Sequence, residues 1–173
     1  MSKELPSREQ AILLLQKYNS PPKVIRHCEE VAALALEIAG KIERKGIKVN
    51  MHLVEAGALL HDIGRSKSHA VDHGLLGSNI AESEHLPESL VRVIRRHVGG
   101  GITTEEAEAF GWPKDVYMPE TLEEKIVSYA DKLIDKSKRV PIEVEIEKLL
   151  PEHKEAAERV RKLHEEINNL IGN

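Results

Sequence analysis

Apolar residues recur at helical spacing through almost the whole chain, and no sustained stretch alternates with a period of two. Ser7 and Gln10 have the form of a capping box opening a short helix that ends near Tyr18. Asn19, Ser20, Pro21 and Pro22 break the pattern, because proline disfavours helix in the residue before it and is welcome in a first helical turn. The next helix places Val24, His27, Val31, Leu34, Ile38 and Ile42 on one face, with Gly46 as its terminator. Asn50 can cap a third helix, in which Leu53, Val54, Ala58 and Leu59 lead into His61 and Asp62 before Gly64 stops it. After a polar loop, His73 to Ser83 is helical again. Pro87 and Glu88 then open a helix carrying Leu90, Val91, Ile94, His97 and Val98, ended by Gly99, Gly100 and Gly101.

Residues 102–120 are the least regular, with Gly111, Pro113 and Pro119 around the single Trp112 and Thr103 or Thr104 as the cap of one short helix. Thr121 and Glu124 form a second capping box, for a helix holding Ile126, Tyr129, Ala130, Asp131 and Leu133. Pro141 separates this from a short helix. Pro151 opens a last one, with Ala156, Val160, Leu163, Ile167 and Leu170 on one stripe. The pattern predicts an all-α, single-domain bundle over residues 1–173, with roughly seven to nine helices. A homodimer through the last stripe is left open, since so short a stripe does not specify one.

Composition narrows the partners more than the fold. Forty per cent hydrophobic and 31% charged residues are ordinary for a globular domain, and with only five aromatics the core must be Leu, Ile, Val and Ala. Twenty-five basic against 29 acidic residues give −4, so no net basic face invites stable nucleic-acid binding. Cys28 stands alone, which rules out an intramolecular disulfide and fits a reducing cytoplasm. Residues 1–16 mix charged and apolar positions without a spanning segment, so a cytoplasmic protein with no membrane association is expected.

The candidate chemistry is metal chemistry. Metal sites need groups that donate strongly and shed protons near neutral pH, which selects histidine and carboxylates. Such groups occur here at helix ends or on apolar faces: His27, the pair His61-Asp62, His73, His97 and Asp131. Asp131 is the most informative, because a carboxylate among Tyr129, Ala130 and Leu133 is costly to bury unless paired or metal-bound. Adjacent side chains diverge on a helix but can converge where it ends, so His61 and Asp62, just before Gly64, could meet a shared ion.

This H…HD…D order resembles the HD superfamily of metal-dependent phosphohydrolases, and His61-Asp62-Ile63-Gly64 reads as its HDIG variant. The resemblance covers roughly residues 20–137, leaving the helices of residues 141–171 to pack on that core. His73-Gly74-x-x-Gly77 and Ile94-Arg95-Arg96-His97 are similar to the two extra histidines of binuclear members such as the bacterial diadenosine tetraphosphate hydrolases. Two departures matter. The GYP element of cyclic-dinucleotide phosphodiesterases is missing, and Arg65 stands where HD-type 5′-nucleotidases carry an acidic residue.

The resemblance implies a first metal on His27, His61, Asp62 and Asp131, with Asp62 bridging to a second on His73 and His97. The mixed donors favour two divalent transition ions, manganese or iron ahead of nickel, cobalt, zinc or magnesium. Asp62, Arg65 and Lys132 are the expected catalytic residues, with Arg65, Arg96 and Lys132 holding phosphates of a small phosphorylated substrate, expected to be a nucleotide. Two rivals share the ligand set, an HD-fold di-iron oxygenase and a non-catalytic nucleotide-binding module. No general acid is identifiable. Residues 99–120 are expected to form a flap over the site, touching substrate through Trp112 or Tyr117. His52, His69, His85, His153 and His164 are expected at the surface, although His69 lies in the loop between the HD pair and His73.

Overall fold

The computed structural model describes residues 4–172, so Met1 to Lys3 and Asn173 lie outside the described residues. Among the described residues there are nine α-helices: α1 Arg8–Lys17, α2 Pro22–Glu43, α3 Met51–Leu60, α4 His73–Ser83, α5 Glu88–Arg95, α6 Thr104–Ala109, α7 Leu122–Lys132, α8 Ile142–Leu149 and α9 Lys154–Ile171. Two single turns of 3₁₀ helix, Ile63–Ser66 and Val98–Gly100, follow α3 and α5. None of the helices is long and apolar enough to cross a membrane.

Side-chain caps set many of the helix starts. Ser7, Thr103 and Thr121 each close a capping box, with Gln10, Glu106 and Glu124 respectively, and Asn50 accepts from the Leu53 amide. Three details differ from the sequence pattern. Helix α9 starts after His153, because Pro151 and Glu152 turn before the chain becomes helical. Helix α5 stops at Arg95, which leaves His97 beyond the helix at the head of a 3₁₀ turn. A two-residue hairpin pairs β1 Ile134–Asp135 with β2 Lys138–Arg139, too short to leave a period-two signature.

Helix α2 is the spine, packed against α3, α7 and α9, while α4 lies on α5 and α8 on α9. Val31, Ala35, Ile38 and Ile42 of α2 meet Val54, Leu59 and Leu60 of α3 and Ile126 and Ala130 of α7 in one large core, to which α9 adds Val160 and Ile167. Burying each large aliphatic side chain contributes about 1.5–3 kcal/mol, so this aliphatic core carries most of the favourable term.

The first 3₁₀ turn presses tightly on α4. A Cβ at Gly64 would lie 1.8 Å from the His73 carbonyl oxygen and 2.6 Å from the Gly77 amide, a fit available to glycine alone. That contact brings the start of α4 against the end of α3.

Candidate metal centre

Every histidine of the expected set sits beside a backbone carbonyl that fixes its ring. His61 Nδ1 is 2.6 Å from Ala58 O, His73 Nδ1 2.7 Å from Ala70 O, and His97 Nδ1 2.7 Å from Ile94 O. Each of these is a carbonyl three residues earlier, which is why the three rings lie at helix boundaries. His27 lies in the second turn of α2, where carbonyls are taken by the helix, and its Nδ1 instead reaches Lys136 O of the hairpin at 2.6 Å. A carbonyl can only accept, so all four Nδ1 atoms carry the proton and all four Nε2 atoms face inward as potential donors to a metal.

The Nε2 atoms converge on two carboxylates. Asp131 Oδ1 lies 3.0 Å from His27 Nε2 and 3.2 Å from His61 Nε2, and Asp62 Oδ2 lies 3.6 and 3.5 Å from the same two atoms. The other oxygen, Asp62 Oδ1, is 3.3 Å from both His73 Nε2 and His97 Nε2. Asp62 therefore turns one oxygen toward each of two groups, His27-His61-Asp62-Asp131 and Asp62-His73-His97, whose ligand atoms are mutually within 4.8 Å.

Two observations show that this donor set fits metal ions. Asp62 Oδ1 is buried and has no hydrogen-bond partner, an arrangement that is costly for a carboxylate oxygen. His73 Nε2 and His97 Nε2 are 3.1 Å apart, with both Nδ1 protons directed elsewhere, so two lone pairs oppose one another unless a cation lies beside them.

Electrostatics agree. Burial pushes His97 down to about 4, which keeps it neutral and donating. Burial also opposes charge on Asp62 and His61, yet their mutual attraction overrides it. Asp62 is held well below the usual carboxylate range and His61 well above the usual imidazole range. Carboxylates that stabilise a proton on His61 would stabilise a metal cation in its place.

The expected phosphate-holding cations have different surroundings. Arg65 leans over the centre with Nε 3.3 Å from Asp62 Oδ2 and Nη1 3.2 Å from His69 O, and it lines the cavity. Lys132 is buried, and its ammonium donates to His97 O at 2.9 Å, Ser128 O at 3.3 Å and Asp131 Oδ2 at 2.9 Å. Its three protons meet three protein acceptors, and Lys132 is also in the lining of the cavity. Arg96 is buried on another side, donating to Glu124, Val116 O and Glu120, and is a strut between α5 and α7.

A cavity of about 650 Å³ opens over the centre, with His27, His73, His97 and Asp131 in its wall. Residues 99–120 do border it, through Gly99, Ile102, Glu106 and Phe110. Trp112 and Tyr117 do not line it. Tyr117 is buried, paired through its backbone with Ile102, and Trp112 packs on its ring. His69 and His153 are exposed at the cavity, and His52 and His85 are exposed elsewhere. His164 is half-buried instead, with Nδ1 2.7 Å from the Tyr129 hydroxyl. The sequence reading missed Lys136 and Ser128. Neither has a signature, since Lys136 acts through its carbonyl and Ser128 through a bond to His97 O.

Comparison with known proteins places this geometry. The family model described as HD domain matches residues 24–134. An uncharacterized protein of Methanocaldococcus jannaschii is 43% identical over 166 residues, covering 94% of this chain and 98% of that protein. A tRNA (cytidine(56)-2′-O)-methyltransferase of Picrophilus torridus is 39% identical over 173 residues, covering 98% of this chain but 49% of the relative, so this chain spans about half of that protein's length. The HD domain of L. monocytogenes phosphodiesterase PgpH, solved in complex with cyclic-di-AMP, superposes with a TM-score of 0.57 at 19% identity, over 93% of this chain and 98% of that one. At that identity the likeness is one of fold. Since the family match spans His27, the His61-Asp62 pair, His73, His97 and Asp131 in one stretch, this chain belongs to the HD domain family.

Proposed function

We propose that this protein is a metal-dependent phosphohydrolase acting on a small phosphate ester, a nucleotide or dinucleotide, at the centre formed by His27, His61, Asp62, His73, His97 and Asp131. The observation that carries the reading is the alignment of four imidazoles. Each directs Nδ1–H to a backbone carbonyl and Nε2 toward Asp62 or Asp131.

The protein's part is to hold this array rigidly. His27, His61, Asp62 and Asp131 would hold one ion, and His73, His97 and the second oxygen of Asp62 the other. Bound divalent ions supply an activated water and neutralise charge that develops on the phosphoryl oxygens. Lys132 and Ser128 fix the His97 carbonyl, and Lys132 also fixes Asp131. Arg65, beside Asp62 at the cavity wall, is the side chain placed to meet a substrate phosphate. The methyl transfer named for the longer relative is not carried over, because this chain spans only about half of that protein.

Metal analysis of the purified protein, followed by phosphate release from a panel of nucleotides, dinucleotides and simple esters with manganese or iron loaded, tests the reading. Two ions per chain and release from at least one ester are expected. A fully metallated protein that releases nothing would remove it, and oxygen-dependent turnover of a di-iron form would replace it.

A further inference from the structure

The lining of the cavity over the metal centre is of two kinds. One part is His27, His73, His97 and Asp131, with Arg65 beside Asp62. Phe110, in the same lining, is 48% exposed, in a chain with only five aromatic residues. Its ring lies 5.0 Å from that of Trp112, and Trp112 sits edge-on to buried Tyr117 at 5.2 Å. Behind them, Ile102, Ala107 and Tyr117 form a small apolar cluster separate from the main core, with Leu75 and Val98 packed on it. Phe110 is thus an exposed flat ring on a rigid base. Val140, together with Val144 and Leu149 of α8, supplies a further apolar wall of the cavity.

The same stretch of α8 contributes Glu145 to the cavity lining. Lys148 is paired with Asp135, and Glu106 with Arg159, whereas Glu145 has no hydrogen-bond or ion-pair partner among the described residues. A free carboxylate accepts hydrogen bonds and repels phosphate, so it is misplaced for a phosphate group and well placed for a pair of donors.

We propose that the part of the cavity lined by Phe110 and Glu145 recognises a nucleoside, with these two as the specificity-determining residues. This inference rests on the phosphohydrolase reading above. The base stacks on Phe110 within the apolar walls. Glu145 accepts from two neighbouring donors of the nucleoside, and the phosphate is directed to the metal ligands beside Arg65. Two parts of a nucleoside offer such a donor pair, the ribose cis-diol and the N1–H/N2–H edge of guanine. Stacking of a base on an aromatic side chain strengthens binding by about tenfold or more, and a volume of about 650 Å³ falls within the roughly 300–1,000 Å³ of small-molecule sites.

The test uses the metal-loaded full chain, with guanosine and adenosine 5′-monophosphate, their 2′,3′-dideoxy forms, and ethyl phosphate as an ester with no nucleoside. Trp112, the single tryptophan, reports binding by fluorescence because it packs on Phe110. Nucleotide should change that fluorescence and ethyl phosphate should not. In Phe110→Ala and Glu145→Gln the preference for nucleotide over ethyl phosphate in kcat/KM should fall about tenfold, with the wild-type metal content retained. Loss of the guanine preference in Glu145→Gln assigns the base edge, and insensitivity of the dideoxy forms to that substitution assigns the diol. Equal use of nucleotide and ethyl phosphate, or wild-type discrimination in both variants, overturns the nucleoside face and leaves the hydrolase standing. Release from no ester at all overturns the hydrolase, and the fluorescence titration then decides nucleoside binding alone.

Discussion

Lys132 shows how a residue's contacts in the fold can differ from those its place in the sequence suggests. Next to Asp131, it reads as a cation for substrate, yet its ammonium is buried on three protein acceptors. It joins the two halves of the centre, since one contact is to the His97 carbonyl and another to Asp131 Oδ2. Outer partners of metal ligands typically carry 10–100-fold in affinity or activity. Lys132→Met is therefore expected to weaken metal binding about 10–100-fold, read by metal titration, with the helical circular dichroism retained. Full metal occupancy together with a raised KM for phosphate would return Lys132 to substrate binding. Asp62 provides a second test at this scale. Asp62→Ala should deplete both ions, whereas His73→Ala or His97→Ala should leave close to one per chain, because these two face only Asp62 Oδ1. A wild-type content of one ion, unaltered by either histidine substitution, would falsify the binuclear assignment.

At the scale of elements, the helices were legible because caps and stripes are local. Ser7, Asn50, Thr103 and Thr121 each begin a helix as their spacing predicts. What was not legible is what depends on contacts between elements. The hairpin at Ile134–Arg139 has no glycine or asparagine to announce it, and its tight turn places Lys136 at φ 58°. That turn supplies the carbonyl that orients His27, so part of the site rests on an element the sequence does not reveal. Gly64 is a related case. From the sequence it stops a helix; in the fold it admits the backbone of α4, with the His73 carbonyl 1.8 Å from where a Cβ would stand. Gly64→Ala must push α4 outward and move His73 with it. Overpacking of this kind costs typically 1–3 kcal/mol, and more where the opposing atoms are backbone. A lower midpoint in urea and selective loss of the second ion are expected. A variant as stable as wild type, with both ions bound, would show that the approach is not needed.

Over the whole molecule, the ligands come from α2, from the end of α3, from the start of α4, from beyond the end of α5 and from α7. The sequence shows their order and their chemistry, but their convergence depends on α2 lying against both α3 and α7 and on α4 lying against α5. Ions bound at this point would tie together side chains as far as 104 residues apart, His27 and Asp131, so occupancy and global stability must be linked. An ion that binds only the folded chain adds RT ln(1 + [L]/Kd), about 2.7 kcal/mol when free metal is a hundred times its dissociation constant. For a domain of this size each kcal/mol moves the melting temperature by about 2–4 °C, so saturating manganese should raise it by about 5–11 °C over chelator-treated protein. The rise should grow with the logarithm of free metal. In Asp62→Ala it should nearly vanish, because both groups lose a ligand. Scanning calorimetry at several metal concentrations gives this directly. An increase of equal size in wild type and Asp62→Ala would mean that the ions bind elsewhere, and no increase at all would mean that these six side chains do not bind metal in solution.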